Sequence, residues 1–228
     1  MTAQRPELER NVDSLLRLLA WMSPAFPVGA FSYSGGLESA VADRRITDAE
    51  SLSDWIGLSL QRGTLWNDAV MVCQAWNGFA DDAVLNEIAE LSRALAGSAE
   101  RYRETVLLGD AFVEAARAWP SPVFDRLPAA PTYPVAVGAV AAAHDIALED
   151  IIAAYLHSGL SQLISAGIRL GVAGQKDGVA ILARLEETVG EVVSRASTAT
   201  LDDLGSATII ADTAPMRHEV QGTRLFRS

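Results

Sequence analysis

The chain has 228 residues, and 18 basic against 29 acidic side chains leave it a formal net charge of −11. A surface of that sign repels phosphate backbones, which excludes nucleic acid as a natural partner. Half of the residues are hydrophobic and 21% are charged, a globular profile, and a chain of this length buries ~70–75% of its unfolded surface without staples. The single Cys73 leaves no disulfide framework and no thiolate zinc site. The first ten residues are polar and carry both signs of charge, so the sequence predicts no secretory leader and a cytoplasmic protein.

Helical periodicity runs through the chain. Leu8, Val12, Leu15, Leu16 and Leu19 fall at i, i+4, i+7, i+8 and i+11, which predicts a helix with that stripe facing the core. Ser23-Pro24 ends it, because a residue before proline leaves the helical region. A Gly/Pro-rich loop follows, carries Phe26, Phe31 and Tyr33, and leads into a helix near Leu37. Thr47 and Glu50 form a capping-box pattern ahead of a core face of Leu52, Trp55 and Ile56. Val84, Ile88, Leu91 and Leu95 repeat the stripe, and a further helix from Ser98 to Trp119 turns Tyr102, Val106, Val113 and Ala116 inward. Five prolines between Pro120 and Pro134 mark a long connection.

The second half is more apolar. Pro134 stands at a favoured first-turn position, and Val135 to Ala143 follow with small aliphatic residues. Residues 151–168 contain no Asp, Glu, Lys or Arg, a length that suits a membrane span of ~20 residues. Tyr155, His157, Gln162 and three serines make it too polar for lipid, so a buried bundle helix is predicted, with His157 a core residue. An amphipathic helix over residues 175–196 points Ile181, Leu185, Val189 and Val192 inward, and Thr200 with Asp203 caps one short helix more. After Pro215 the helical pattern stops. No segment alternates in period two with β-branched residues. The predicted fold is all-α: a single helical bundle over residues 1–214 and an extended tail over residues 215–228.

The residues for catalysis are scattered. Lys176 is the sole lysine and follows no glycine-rich phosphate loop. His144, His157 and His218 are too far apart in sequence for a helical metal pair, and no Gly-x-Ser-x-Gly elbow is present. The reading is a protein without catalytic, cofactor-binding or metal-binding residues of its own. The tail contrasts with the rest: three arginines against one glutamate leave it +2, and Leu225-Phe226 sit between Arg224 and Arg227, a composition typical of interface anchors. Lacking a core stripe, residues 215–228 are expected to be removable without loss of folding stability.

Four stretches in order carry a resemblance. They are Phe26-Pro-Val-Gly-Ala-Phe-Ser-Tyr-Ser-Gly-Gly-Leu-Glu38, Tyr133-Pro-Val-Ala-Val-Gly138, Ala166-Gly-Ile-Arg-Leu-Gly-Val-Ala-Gly-Gln175 and Arg217-His-Glu-Val-Gln-Gly-Thr-Arg-Leu-Phe-Arg-Ser228. With them the chain resembles the urease accessory protein F family, all-helical assembly factors for the nickel site of urease. Val172, Val220 and Gly222 stand where that family commonly has proline, threonine and an aromatic residue. The resemblance implies a non-enzymatic chaperone, homodimeric in the complex, that bridges accessory protein D (H in some organisms) and the nickel-carrying GTPase G on apo-urease. Nickel and GTP would belong to the partners. It carries over as partner-binding residues Tyr33, Ser34, Gly36, Leu37 and Glu38 from the first motif, and Arg169, Gly174 and Gln175 from the third. From the tail it carries over Arg217, His218, Glu219, Gln221, Arg224, Leu225 and Phe226. Glu38 and Arg169 would face the GTPase. Two other readings stay open at this point: a GTPase-activating factor that inserts Arg169 into its partner, and a helical enzyme built on buried carboxylates.

Overall fold

The computed structural model describes residues 12–228; the polar first ten residues and Leu8 lie outside them. The elements are α1 (Val12–Trp21), α2 (Leu37–Ala42), α3 (Ala49–Arg62), α4 (Thr64–Gly78), α5 (Asp82–Ala94), α6 (Ala99–Ala116), α7 (Tyr133–Ala143), α8 (Leu148–Arg169), α9 (Gln175–Ala196) and α10 (Ile209–His218). Single 3₁₀ turns occur at Ala30–Ser32, Pro122–Asp125 and Leu201–Asp203. No strand occurs among the described residues, and the all-α expectation holds.

The centre of the bundle is α4, which packs on α7, α3, α8, α5 and α9. Leu65, Trp66, Ala69, Val70, Met71, Val72, Cys73 and Ala75 are all buried on it. A helix buried over most of its circumference shows only a weak stripe, which is why periodicity did not reveal it. Its closest neighbour is α7, where a Cβ added at Gly138 would lie 2.4 Å from the Val72 carbonyl oxygen. Beside them α8 buries Ile151, Ile152, Tyr155, Leu156, Leu160 and Ile164. Among the described residues α8 is the one helix long and apolar enough to cross a membrane, and here it packs between α9 and α4. His157 lies on its exposed side, not in the core as predicted, because the isoleucine and leucine face takes the interior.

One stripe turns out to face the other way, and the α6 stripe holds only in part, with Ala116 buried and Val113 packed against the core. On α1 the buried residues are Leu18 and Trp21, while Val12, Leu15, Leu16 and Leu19 are exposed. The large indole decides this: Trp21 meets Phe112 and Trp119 edge-to-face at 5.9 and 5.8 Å, and its area outweighs that of single aliphatic residues. On α6 the inward line is Glu100, Glu104, Leu108, Phe112 and Ala116, spaced by four, and Tyr102 is exposed. Caps follow the sequence more closely. Ser98 caps α6 and Thr200 pairs with Asp203 as predicted. At α3 the capping box belongs to Asp48 and Ser51, not to Thr47 and Glu50.

The predicted boundary between bundle and tail falls inside a helix. From Ser197 the chain runs back along α4, where Ala199 and Asp203 carbonyls accept from Gln74 and Trp66 and the Ala207 N–H donates to Arg62. It then enters α10, which contains Pro215. Proline is accommodated because its missing N–H affects one hydrogen bond and the helix ends within one turn. Its ring lies against Gly36, where an added Cβ would stand 2.7 Å from Pro215 Cδ. Gly36 also has φ +83°, so both the backbone and the close approach of α10 require glycine.

Candidate functional site

Residues 217–228 do not project from the bundle. They fold back over the first motif and the start of α6, and the contacts are made by charge and backbone. His218 is fully buried at the end of α10. Its Nε2 lies 3.0 Å from Glu38 Oε2 and its Nδ1 lies 2.7 Å from Glu100 Oε2. Both ring nitrogens face carboxylate oxygens. The other Glu100 oxygen accepts from Arg224 at 2.7 Å. The two carboxylates thus share the His218 ring, and Glu100 also holds a guanidinium. That compensation is what a buried carboxylate requires.

Glu38 does more than pair with His218. Its Oε1 accepts from the Leu225 N–H at 2.7 Å and its Oε2 from the Phe226 N–H at 2.9 Å. Burial pushes this carboxyl up, but the Leu225 N–H, His218 and the Phe226 N–H outweigh it and hold it below the usual carboxylate range. The segment then continues extended. The Arg227 N–H donates to the Ser32 carbonyl at 2.8 Å, and the Ser34 N–H donates to the Ser228 oxygen at 2.8 Å, reinforced by the Ser34 hydroxyl. The Ser228 hydroxyl donates to Glu104 Oε2 at 2.8 Å. Phe226 is buried and lies beneath the Arg169 guanidinium, 4.2 Å from ring centre to Cζ, a cation–π contact. Arg169 in turn donates to the Phe31 carbonyl.

Below this surface lies a second charged layer. Arg101 reaches Asp68 at 2.7 Å and Glu104 at 3.3 Å, and the Tyr155 hydroxyl donates to Asp68 at 2.9 Å. Burial would depress Arg101, but Asp68 and Glu104 hold it above its ordinary value. Glu104 is raised by burial in spite of Arg101 and Ser228. These groups border a cavity of about 650 Å³ that Phe226, Phe26 and Trp21 also line.

Most of the residues singled out in the sequence meet here. Tyr33, Ser34, Leu37 and Glu38 are buried beneath the segment, Gly36 admits α10, and Arg169, His218, Arg224 and Phe226 make the contacts above. The Glu219 carboxylate accepts from the Glu100 N–H at 3.2 Å. Arg217 pairs with Asp43 at the surface, and the Gln221 amide donates to the nearby Thr223 carbonyl. Leu225 lends its N–H while its side chain stays 56% exposed. Gly174 and Gln175 stand apart, at the start of α9, where the Gly174 N–H donates to Asp177. Sequence reasoning missed Asp43, Asp68, Glu100, Arg101, Glu104 and Ser228. The available signal was the spacing of Glu100 and Glu104 in register with Leu108 and Phe112, which puts two carboxylates on a core-facing line. Among the described residues no three His, Cys, Asp or Glu side chains gather as a metal site.

The UreF family model matches residues 46–186. The urease accessory protein UreF of Agrobacterium fabrum is 64% identical over 220 residues, 96% of this chain and 99% of that protein. That of Rhizobium leguminosarum bv. trifolii is 60% identical over the same shares. UreF 1 of Brucella abortus is 51% identical over 228 residues, the whole of both chains. The chain belongs to the UreF family of urease accessory proteins.

Proposed function

We propose that this protein serves urease maturation as a bridging chaperone that holds accessory protein D (or H) and the GTPase G together on apo-urease during nickel insertion. It acts without catalysis or a cofactor of its own, in the cytoplasm. The observation that carries the reading is the division of labour on α10 and the following segment. The inner side is fixed by Gly36, His218 and Phe226, while Ile209, Met216, Val220 and Leu225 stay 77, 46, 85 and 56% exposed. A helix and following segment that keep four apolar side chains in water are what a docking surface needs. In Met216→Asp/Val220→Asp, both sites being exposed, Tm is expected to stay within ~1 °C of wild type. Co-purification with the D/H protein and urease activation are expected to fall at least ~10-fold. Wild-type yield of the complex from this variant would refute the docking role.

The exposed stripe Val12, Leu15, Leu16 and Leu19 on α1 supports the proposed homodimer, since an exposed apolar row gains by being covered in an interface. Leu16→Arg is expected to shift the chain toward monomer in sedimentation without unfolding it. A dimer of unchanged strength would remove α1 from the interface. Arg169 is engaged by Phe226 and the Phe31 carbonyl, which favours bridging over an arginine supplied to the GTPase. Glu38, Glu100 and Glu104 are likewise taken up by the segment and Arg101, which disfavours an enzyme built on them.

A further inference from the structure

Segment 223–228 is held in the manner of a bound peptide. The main chain bends at Leu225 and Phe226 so that both N–H groups meet Glu38, and four of its groups are matched by the body of the protein: the N–H groups of Leu225, Phe226 and Arg227 and the oxygen of Ser228. Main-chain bonds of this kind give affinity, and side-chain pockets give selectivity. Phe226 fills the pocket under Arg169, Arg224 pairs with Glu100, and the Ser228 hydroxyl reaches Glu104. The receiving groups come from separate elements, α2, α6, α8 and the loop before α2. The link to α10 is exposed at Glu219, Val220, Gly222 and Thr223, and a side chain added at Gly222 would meet nothing within 4 Å.

We infer that the groove formed by Glu38, Glu100, Glu104, Ser34 and Arg169 is a receptor for an arginine–aromatic peptide, filled in cis by residues 223–228 and open to the same segment of a second copy. A short tether gives the resident segment an effective concentration of ~mM. Binding in trans is therefore masked while that segment is docked and shows once it is severed or weakened. Exchange of the segment between copies would join two chains with no new contact surface.

The test uses the full chain with a protease site placed at residues 220–223, cut after folding, and a fluorescent synthetic peptide of residues 219–228. The cut chain is expected to bind the peptide saturably by anisotropy, at least ~10-fold more tightly than the uncut chain. Phe226→Ala in the peptide, or Glu38→Gln in the protein, should each weaken that binding at least ~10-fold. No saturable binding to a cut chain of unchanged helical content overturns the inference, and so does indifference to Phe226→Ala. A second measurement needs no cut: uncut Phe226→Ala protein, whose own segment competes poorly, should bind the wild-type peptide at least ~10-fold more tightly than uncut wild type. Equal affinity there overturns the inference as well, whatever the fate of the cut chain. Neither readout depends on accessory partners, so failure of the bridging role would leave it standing.

Discussion

Removing residues 215–228 is expected to lower Tm by ~6–12 °C. Phe226 alone contributes ~1.5–3 kcal/mol through burial. The deletion also takes away His218 and Arg224, and so leaves Glu38 and Glu100 without these partners. Stranding a buried charge typically costs ~3–5 kcal/mol, reduced here because water enters once the segment is gone. The backbone entropy of the ordered segment opposes these losses. A net loss of ~3 kcal/mol at ~2–4 °C per kcal/mol corresponds to the stated shift. Thermal unfolding followed by circular dichroism checks it; an unchanged Tm would mean that the segment merely rests on the bundle. This reverses what the sequence suggests, since a segment without an apolar stripe looks dispensable until its hydrogen bonds are seen.

Arg101→Ala should be the most damaging single substitution in the charged layer. It leaves Asp68 and Glu104 facing each other with their shared cation gone, a loss of ~3–5 kcal/mol and a Tm lower by ~6–20 °C. The pH dependence separates this cause from simple loss of volume. Glu104 is already raised in the folded protein by burial. A carboxyl raised by folding stabilises below its unfolded value and loses that contribution as pH rises through the folded one. The Tm difference between variant and wild type is therefore expected to narrow from pH ~8 to pH ~5. A gap of constant size would assign the effect to packing alone. Glu38 has the opposite sign: lowered in the fold, it stabilises above the unfolded value and loses that on acidification, so it cannot imitate the narrowing.

The fold class was legible because α1, α3, α5 and α9 are amphipathic, and amphipathic helices announce themselves by spacing. α4 and the true face of α6 were not. α4 is buried over most of its surface, and the face of α6 begins with two glutamates that look like solvent-facing charge until their partners are known. Apart from Arg101, three residues from Glu104, those partners lie 118 to 124 positions away in sequence. The site was legible in its motifs, with Phe226, Arg224 and His218 on one side and Ser34 and Glu38 on the other. It was not legible in its connectivity, because no local rule says that one motif binds the other. α1 shows the converse error: a flawless stripe that faces outward, because Trp21 set the rotation of the helix.

The separation along the chain also orders events during synthesis. Glu38 precedes His218 by 180 residues and the N–H of Phe226 by 188. At ~5–20 residues per second, a nascent chain carries that carboxylate for roughly ten to forty seconds before His218 is made. Over that interval α2 and the start of α6 have water where Arg224 and the imidazole later sit, and α3, α4, α7, α8 and α9 can assemble around a still-hydrated notch. Residues 218–228 then close the notch and expel that water, a step that depends on everything made before it.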